Sequence, residues 1–477
     1  MEFYDRRKEL EDLDRRYKEL KKGEFCVIYG RRRLGKTLFI QKFIEDKKNA
    51  VYYFVNKTNK KELLTLLSDT IFDQTGERET FVEWASFFQY LERKASKEKF
   101  IFIMDEFPRL KEQSPEFLTM FQDFWDSKLK YTNIMFFAVG SSMSMMYDIF
   151  MEKTAPLYGR MTLKIEFKPF RYVDFREMFE DLDEAKKVEL YSIFGGTPHF
   201  LWFVKDESNK DLMTIINKLV LRRSAPLIDE PTNFITMELK KETNYNSILH
   251  AIAQSNGTRE EIIEKSGIPQ SSIDFYFTNL IELLNLIKKT EPLFPTRNIK
   301  PRYKFIDNFF QFWYKFIYPN LSLIEIGGRD LLKKKIETDL NSFIGFRFEE
   351  IIRELLILYN TKNIKELHIN FDEISWWWGK NLAGVTEEIE IVANNSKTRQ
   401  IILCEVKWTN KPMDVLDIKK LDEKSKLINK SGSFNYLFVS KSGFTPKCLE
   451  MLDQKKMVSL DLNELTKLFD EAKKFYK

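Results

Sequence analysis

Tyr29-Gly30-Arg31-Arg32-Arg33-Leu34-Gly35-Lys36-Thr37 carries the spacing Gly-x-x-x-x-Gly-Lys-Thr, which suits a backbone loop that wraps phosphate oxygens. Both flanks agree with that reading. Before the loop, Phe25-Cys26-Val27-Ile28-Tyr29 is a short apolar run of strand type bounded by Gly23. After it, Leu38, Phe39, Lys42 and Phe43 continue as a helix with one apolar face. The order strand, glycine loop, helix predicts an α/β fold with a parallel sheet. Glycines let the backbone N–H groups curl around an anion, and the helix N-terminus adds a positive dipole end. Lys36 then reaches the β- and γ-phosphates of a nucleotide, and the Thr37 hydroxyl ligates Mg²⁺. Gly30, Arg31, Arg32, Arg33, Leu34, Gly35, Lys36 and Thr37 form the candidate nucleotide-binding set.

Outward from the loop, Ala50-Val51-Tyr52-Tyr53-Phe54-Val55 reads as a second strand, followed by amphipathic helical stretches at 59–74 and 80–96. Phe100-Ile101-Phe102-Ile103-Met104-Asp105-Glu106 is a continuous apolar run ending in two acids. Such a run suits a parallel strand buried on both faces. Its carboxylates fall at the strand's C-terminal end, where open α/β sheets bind ligands. This is a Walker B pattern: Asp105 holds Mg²⁺, and Glu106 orients and polarises the attacking water. A fourth strand, Ile134–Val139, runs into Gly140-Ser141-Ser142. Ser141 is either a γ-phosphate sensor or a cap for the next helix. Arg160, at the end of Pro156-Leu157-Tyr158-Gly159-Arg160, is either supplied in cis to the transferred phosphate or a surface residue.

Taken together, the loop, Asp105-Glu106-Phe107, Pro156–Arg160 and Gly195-Gly196-Thr197-Pro198 resemble the archaeal-type ATPases of the STAND class. These AAA+-related proteins act as nucleotide-gated switches. The resemblance implies ATP with Mg²⁺ as ligands and a helical subdomain after the core, whose Gly-x-Pro turn packs near the nucleotide. It also implies self-association as a homo-oligomer in the ATP state.

The bulk numbers bound the remainder. A chain of 477 residues accommodates roughly three domains. With 43% apolar and 31% charged residues it has the composition of a globular protein. A net charge of +5 permits a nucleic-acid partner without requiring one. Cys26, Cys404 and Cys448 are scattered, and His199, His250 and His368 lie far apart. That excludes a disulfide framework and a histidine metal site. The N-terminal stretch lacks a signal-like apolar core, and no run suffices to span a bilayer. The expectation is a cytoplasmic protein with no membrane partner.

From Tyr245 the pattern changes. Ile248, Leu249, Ile252 and Ala253 mark one helix, and Thr258-Arg259-Glu260-Glu261 is a capping-box opening for a second, ended by Gly267. Pro269-Gln270-Ser271-Ser272 starts a third. Leu286–Lys289 and Arg302–Phe305 then read as two wing strands. Helix, helix, turn, helix, wing is a DNA-binding layout. The third helix, however, offers no arginine or lysine for a guanine edge. Basic residues sit on the wing instead: Lys288, Lys289, Arg297, Lys300 and Arg302. The module either meets phosphates there, with weak sequence specificity, or serves as a packing element.

Beyond an aromatic helix ending near Pro319, residues 320–335 read as a connector, and Phe346–Arg353 as a helix. Glu388-Ile389-Glu390-Ile391-Val392-Ala393 and Ile401-Ile402-Leu403-Cys404-Glu405-Val406-Lys407-Trp408 read as a hairpin. Alternation sets Glu388 and Glu390 on one face, and likewise Glu405 and Lys407. An acid facing Glu-x-Lys is the arrangement of a metal-dependent phosphodiesterase: carboxylates bind Mg²⁺, and the lysine steadies developing charge. The bland alternative is an edge hairpin with cross-strand Glu/Lys pairs. These residues resemble the PD-(D/E)xK nuclease superfamily and the C-terminal domain of unknown function of the same archaeal-type ATPases. By that resemblance Glu390 and Glu405 are metal ligands, Lys407 is catalytic and Glu349 is the helix acid. The superfamily usually has Asp where this chain has Glu390.

The expected organisation is therefore an ATPase core (1–167), a helical subdomain (168–240), a winged-helix domain (241–319) and a nuclease-like α/β domain (320–477). The expected function is an ATP-driven switch controlling a nuclease-like domain that acts on DNA or RNA. The alternative is an ATP-gated regulatory binding protein whose nuclease-like domain is not catalytic.

Overall fold

The structure, a computed structural model, describes residue 4 and residues 6–295, 299–381, 383–428 and 430–476. Arg297 lies outside the described residues. The chain forms two compact units. One runs to Pro169 and includes Thr197–His199; the other comprises Phe170–Gly196 and Phe200 onward.

The first unit is built on strands β1 (Glu24–Tyr29), β2 (Ala50–Phe54), β3 (Phe100–Asp105), β4 (Ile134–Gly140) and β5 (Leu163–Glu166). They form one sheet in the order β2-β3-β4-β1-β5, and every pairing is parallel. The period of two in each strand explains its two cores. Phe25, Val27, Phe100, Phe102 and Met104 face one side, against the helices Lys60–Thr75 and Trp84–Lys97. Cys26, Ile28, Ile101 and Ile103 face the other, with Phe39, Ile40 and Phe43 of the helix Lys36–Ile44. The α/β parallel sheet expected from the loop and its flanks is present.

In the second unit, helices Glu242–Ala253, Arg259–Ser266 and Ile273–Thr278 precede an antiparallel pair, β6 (Ile287–Thr290) and β7 (Arg302–Phe305). The capping box is formed: Thr258 and Glu261 bond reciprocally at the start of the second helix. Arg329–Leu358 is one helix of 30 residues. This corrects the connector expected at 320–335, of which Leu321–Glu325 is also helical. Leu332, Ile336 and Leu340 recur at one-turn spacing and are buried together with Phe343 and Ile344. Burial of that stripe outweighs the solvated Lys333-Lys334-Lys335 run.

A short hairpin, β8 (Lys362–Ile364) and β9 (Leu367–Ile369), leads to a second five-stranded sheet. Its strands are β10 (Glu373–Lys380), β11 (Thr386–Asn394), β12 (Gln400–Lys407), β13 (Ser433–Ser440) and β14 (Val458–Leu460), in that order. The first three pair antiparallel and the last three parallel. The β11–β12 hairpin is therefore interior, not an edge. Trp377, Ile389, Val392, Leu403 and Phe438 fill the core on one face. Cys26, Cys404 and Cys448 are free and buried. Among the described residues no helix is long and apolar enough to cross a membrane.

Candidate functional site

The loop Gly30–Gly35 joins β1 to its helix at the C-terminal edge of the first sheet. Two glycines make it possible. A Cβ on Gly30 would stand 2.4 Å from the Phe167 carbonyl oxygen, so only hydrogen fits. Gly35 has space around it but takes φ +85°, a conformation that L side chains avoid. Lys36 is buried, and its Nζ donates to the carbonyls of Gly30 (2.7 Å) and Arg31 (2.8 Å). A cation is thus held inside the curl of the loop. Arg33 adopts φ 70°, and its carbonyl accepts the His199 N–H at 3.4 Å. Thr197–His199 belong to this unit, so the residues Thr197-Pro198 of the Gly-x-Pro turn lie beside the loop. Burial and the Arg33 charge hold His199 below the ordinary imidazole range.

Asp105 ends β3. Its Oδ2 accepts the Thr37 hydroxyl at 2.9 Å and the Tyr52 hydroxyl at 2.6 Å, while Oδ1 accepts the Glu106 N–H at 2.8 Å. The loop threonine and the Walker B aspartate are therefore in direct contact, 68 residues apart in sequence. Glu106 takes a left-handed φ of 56°, costly for a non-glycine residue by about 1–3 kcal/mol. The turn is held by Phe107 N–H to Val139 O (2.9 Å) and Arg109 N–H to Glu106 O (3.1 Å). Arg109 Nε lies 3.8 Å from Glu106 Oε2, and its Nη1 donates to Val55 O at 2.7 Å.

No local pattern in the sequence marks Tyr52 or Arg109 as part of this site. Burial first, then the neighbouring Asp105 charge, push the Tyr52 hydroxyl far up, which keeps it a proton donor. Ser141 is buried immediately after Gly140, whose partner across the sheet is Tyr29. It thus stands next to the strand that feeds the loop. Arg160 is engaged elsewhere: its Nε and Nη2 donate to Asp126 (2.9 and 2.7 Å) and its Nη1 to the carbonyls of Pro156 and Tyr158.

The donor set at the loop fits a magnesium nucleotide. Mg²⁺ takes hard oxygen ligands, commonly one or two carboxylates plus substrate phosphates. Thr37 and Asp105 offer a hydroxyl and a carboxylate already touching, with a lysine in the adjoining curl.

In the second unit, Ile391 pairs with Cys404, so the antiparallel register sets Glu390 beside Glu405. Glu405 is 2% exposed. Lys407 Nζ lies 2.6 Å from its Oε1, and Lys424 Nζ, from the helix Val415–Ser425, 3.5 Å from its Oε2. Despite burial, Lys424 and Lys407 hold the Glu405 carboxyl below its usual range. Burial and the Glu405 charge raise Glu390 well above it. Glu349 is also raised, mainly by burial, against the charge of Lys304. Among the described residues no group of three Asp, Glu, His or Cys side chains is arranged to hold a metal ion.

Among the described residues, the wing's Lys288, Lys289, Lys300 and Arg302 each pair with an acid of the same unit. Lys288 pairs with Glu350 (3.1 Å), Lys289 with Glu291 (2.8 Å), Lys300 with Glu260 (2.9 Å) and Arg302 with Glu388 (2.8 Å). Lys304 Nζ lies 3.9 Å from the centre of the Trp376 ring.

Residues 3–204 match the model of an ATPase domain predominantly from Archaea. Residues 313–424 match one for archaeal and bacterial proteins of unknown function. An uncharacterized protein of Methanocaldococcus jannaschii is 34% identical over 430 residues, 89% of this chain and 92% of that protein. An uncharacterized ATP-binding protein of the same organism is 50% identical over 46 residues, 10% of this chain and 76% of that one. Among solved structures, a Walker-type ATPase of Pyrococcus abyssi superposes with a TM-score of 0.51 at 19% identity, covering 66% of this chain and 96% of that chain.

Proposed function

The chain belongs to the same family as its Methanocaldococcus relative and carries an archaeal ATPase domain at residues 3–204; from that premise we propose an ATP-hydrolysing switch whose nucleotide state governs the C-terminal domain. The observation that carries the ATP site is the Thr37–Asp105 contact at 2.9 Å beside Lys36. Thr37 and Asp105 would hold Mg²⁺, and Lys36 would meet the β- and γ-phosphates. When bound, Mg²⁺ neutralises charge on the phosphate oxygens. Glu106 orients the attacking water and takes up its proton. Ser141 is the candidate sensor of the terminal phosphate. A cis role for Arg160 requires it to leave Asp126. ATP turnover and binding test the assignment. Lys36→Ala should lose both, whereas Glu106→Gln should bind ATP and retain it. Equal turnover in wild type and Glu106→Gln would remove Glu106 from the role of base.

For the C-terminal domain, two readings differ in chemistry. In the first it is nuclease-like, with Glu390 and Glu405 holding Mg²⁺, Lys407 steadying charge, and DNA or RNA as substrate. In the second it is a non-catalytic docking module, and the ATPase gates binding to a partner. Two observations favour the second. The Glu405 carboxylate already carries two lysines, and the wing cations Lys288, Lys289, Lys300 and Arg302 are paired with acids of their own unit. Cleavage assays with ATP, Mg²⁺ or Mn²⁺, and varied DNA and RNA decide between them. Cutting that disappears in Lys407→Ala supports the nuclease, and cutting no greater than in that variant supports docking. Sedimentation with and without ATP tests self-association as a homo-oligomer.

A further inference from the structure

The second unit holds a partly open cavity of about 330 Å³ whose lining includes Arg171, Lys288, Arg347, Arg353, Glu350 and Glu354. Two of these cations are deep: Arg347 is 2% exposed and Arg353 6%. Neither guanidinium is satisfied. Arg347 Nη1 donates to Phe305 O at 3.3 Å, while its Nε and Nη2 are buried without an acceptor. Arg353 Nη2 donates to Glu390 O at 2.9 Å, while its Nε and Nη1 are likewise buried without one. Its nearest carboxylate oxygen, Glu350 Oε2, is 3.9 Å from Nε, beyond hydrogen-bond reach. The face of Arg353 is fixed against Trp376, 3.5 Å from the ring centre.

The acids around the cavity are occupied. Glu350 takes Lys288 at 3.1 Å, and Glu354 accepts the N–H groups of Tyr172 (3.0 Å) and Val173 (2.9 Å). Arg171 pairs with Asp174 at 3.3 Å, so with Lys288 on Glu350 the two arginine forks face carboxylates that are already engaged. Buried charged donors without acceptors are costly. Burial draws the Arg347 guanidinium down to about 10, against the pull of Glu350 and Asp307. Guanidinium forks match tetrahedral oxyanions, whose several oxygens accept in pairs. The volume lies at the small end of ligand cavities.

We propose that this cavity binds a small phosphate-bearing anion, with Arg347 and Arg353 supplying the forks and Lys288 a further charge. The site is separate from the nucleotide loop and independent of the reading given to the Glu390–Glu405 pair. Its ligand is inorganic phosphate or a small phosphomonoester, which share the same dianionic group.

Calorimetric titration of the full chain carrying Lys36→Ala, in phosphate-free buffer, isolates the cavity from the loop. Inorganic phosphate and AMP are the two probes. Saturable binding near one equivalent is expected for at least one of them, weakened tenfold or more by Arg347→Gln and by Arg353→Gln. Saturation by phosphate alone assigns the free anion, and saturation by AMP the monoester. Absence of saturable binding, or binding undiminished in both variants, overturns the proposal. Should those variants not fold, hydrogen exchange of the Lys36→Ala protein decides. The probe that saturates should slow exchange in the segment 345–358, and unchanged rates there overturn the site.

Discussion

Asp105 and Glu405 are both buried acids in the C-terminal halves of interior strands, yet they are held in opposite ways. Three neutral donors hold Asp105: two hydroxyls and a backbone amide. They orient its oxygens without bringing a charge of their own. Glu405 is held by two ammonium groups, which match its charge within the fold. Orientation by neutral groups leaves a carboxylate's charge available to a cation, whereas pairing with lysines spends it on structure. The first acid reads as part of a working site and the second as a component of a buried ionic network.

The largest expected effect tests that contrast directly. Asp105→Asn should lower Mg²⁺-dependent ATP turnover by about 100-fold or more, since metal polarisation supplies several kcal/mol to the transition state. Glu405→Gln should leave turnover within about twofold, because the three donors that hold Asp105 are untouched. Steady-state assays at saturating ATP and Mg²⁺ read both. A loss in Glu405→Gln comparable to that in Asp105→Asn would break the comparison.

Next in size is the ionic network. Removing one partner of a buried pair costs about 3–5 kcal/mol. Lys407 is one-third exposed and Lys424 remains beside Glu405, so Lys407→Ala should cost less, about 2 kcal/mol. The double variant Lys407→Ala/Glu405→Gln should recover part of that loss. Denaturant unfolding of the three proteins measures it, and a double variant no more stable than the single one removes the pairing argument.

These contrasts also explain what could be read before folding. Gly30–Thr37 is a local motif whose flanks carry their own strand and helix signals, so its place follows from eight adjacent residues. Asp105 is marked by the apolar run before it. Tyr52 is not marked at all, because its reach to Asp105 depends on β2 lying next to β3, a fact of sheet order. Alternation puts Glu405 and Lys407 on one face of their strand, while the pairing of Ile391 with Cys404 is what sets Glu390 beside Glu405. Alternation is silent on Lys424, which arrives from a helix 19 residues further on. The helix through 320–335 was hidden by Gly327-Gly328 and three successive lysines, which mask the Leu332–Ile336–Leu340 stripe.

Tyr52→Phe sharpens the distinction between orienting and ligating. Deleting one hydroxyl donor to a charged acceptor should cost about 1–2 kcal/mol of stability. Turnover should change by less than about tenfold, because Thr37 and the Glu106 amide still orient Asp105. Thermal unfolding and ATPase rates on the same preparation separate the two. A turnover loss equal to that of Asp105→Asn would make Tyr52 part of the reacting machinery rather than a positioning residue.

A last contrast concerns where the molecule's pH sensitivity resides. Burial raises the Glu354 carboxyl from 4.5 to about 7, against the amides of Val173 and Tyr172 and the Arg171 charge that favour ionisation, with Asp174 adding to the rise. Lys288, Arg347 and Glu350 line the same cavity. An acid whose folded pKa exceeds its unfolded value binds its proton more tightly when folded. Its contribution is therefore complete below about pH 4.5 and lost as the pH rises through 7. Glu354→Gln keeps one carbonyl oxygen for the Tyr172 or Val173 amide and removes the titration. The variant's melting temperature should thus rise relative to wild type between pH 5 and pH 8 in phosphate-free buffer. A difference independent of pH would mean that Glu354 ionises without penalty and that its backbone acceptor role is all it contributes. A positive slope would locate pH sensitivity in the second unit, whose buried charges are matched by other side chains.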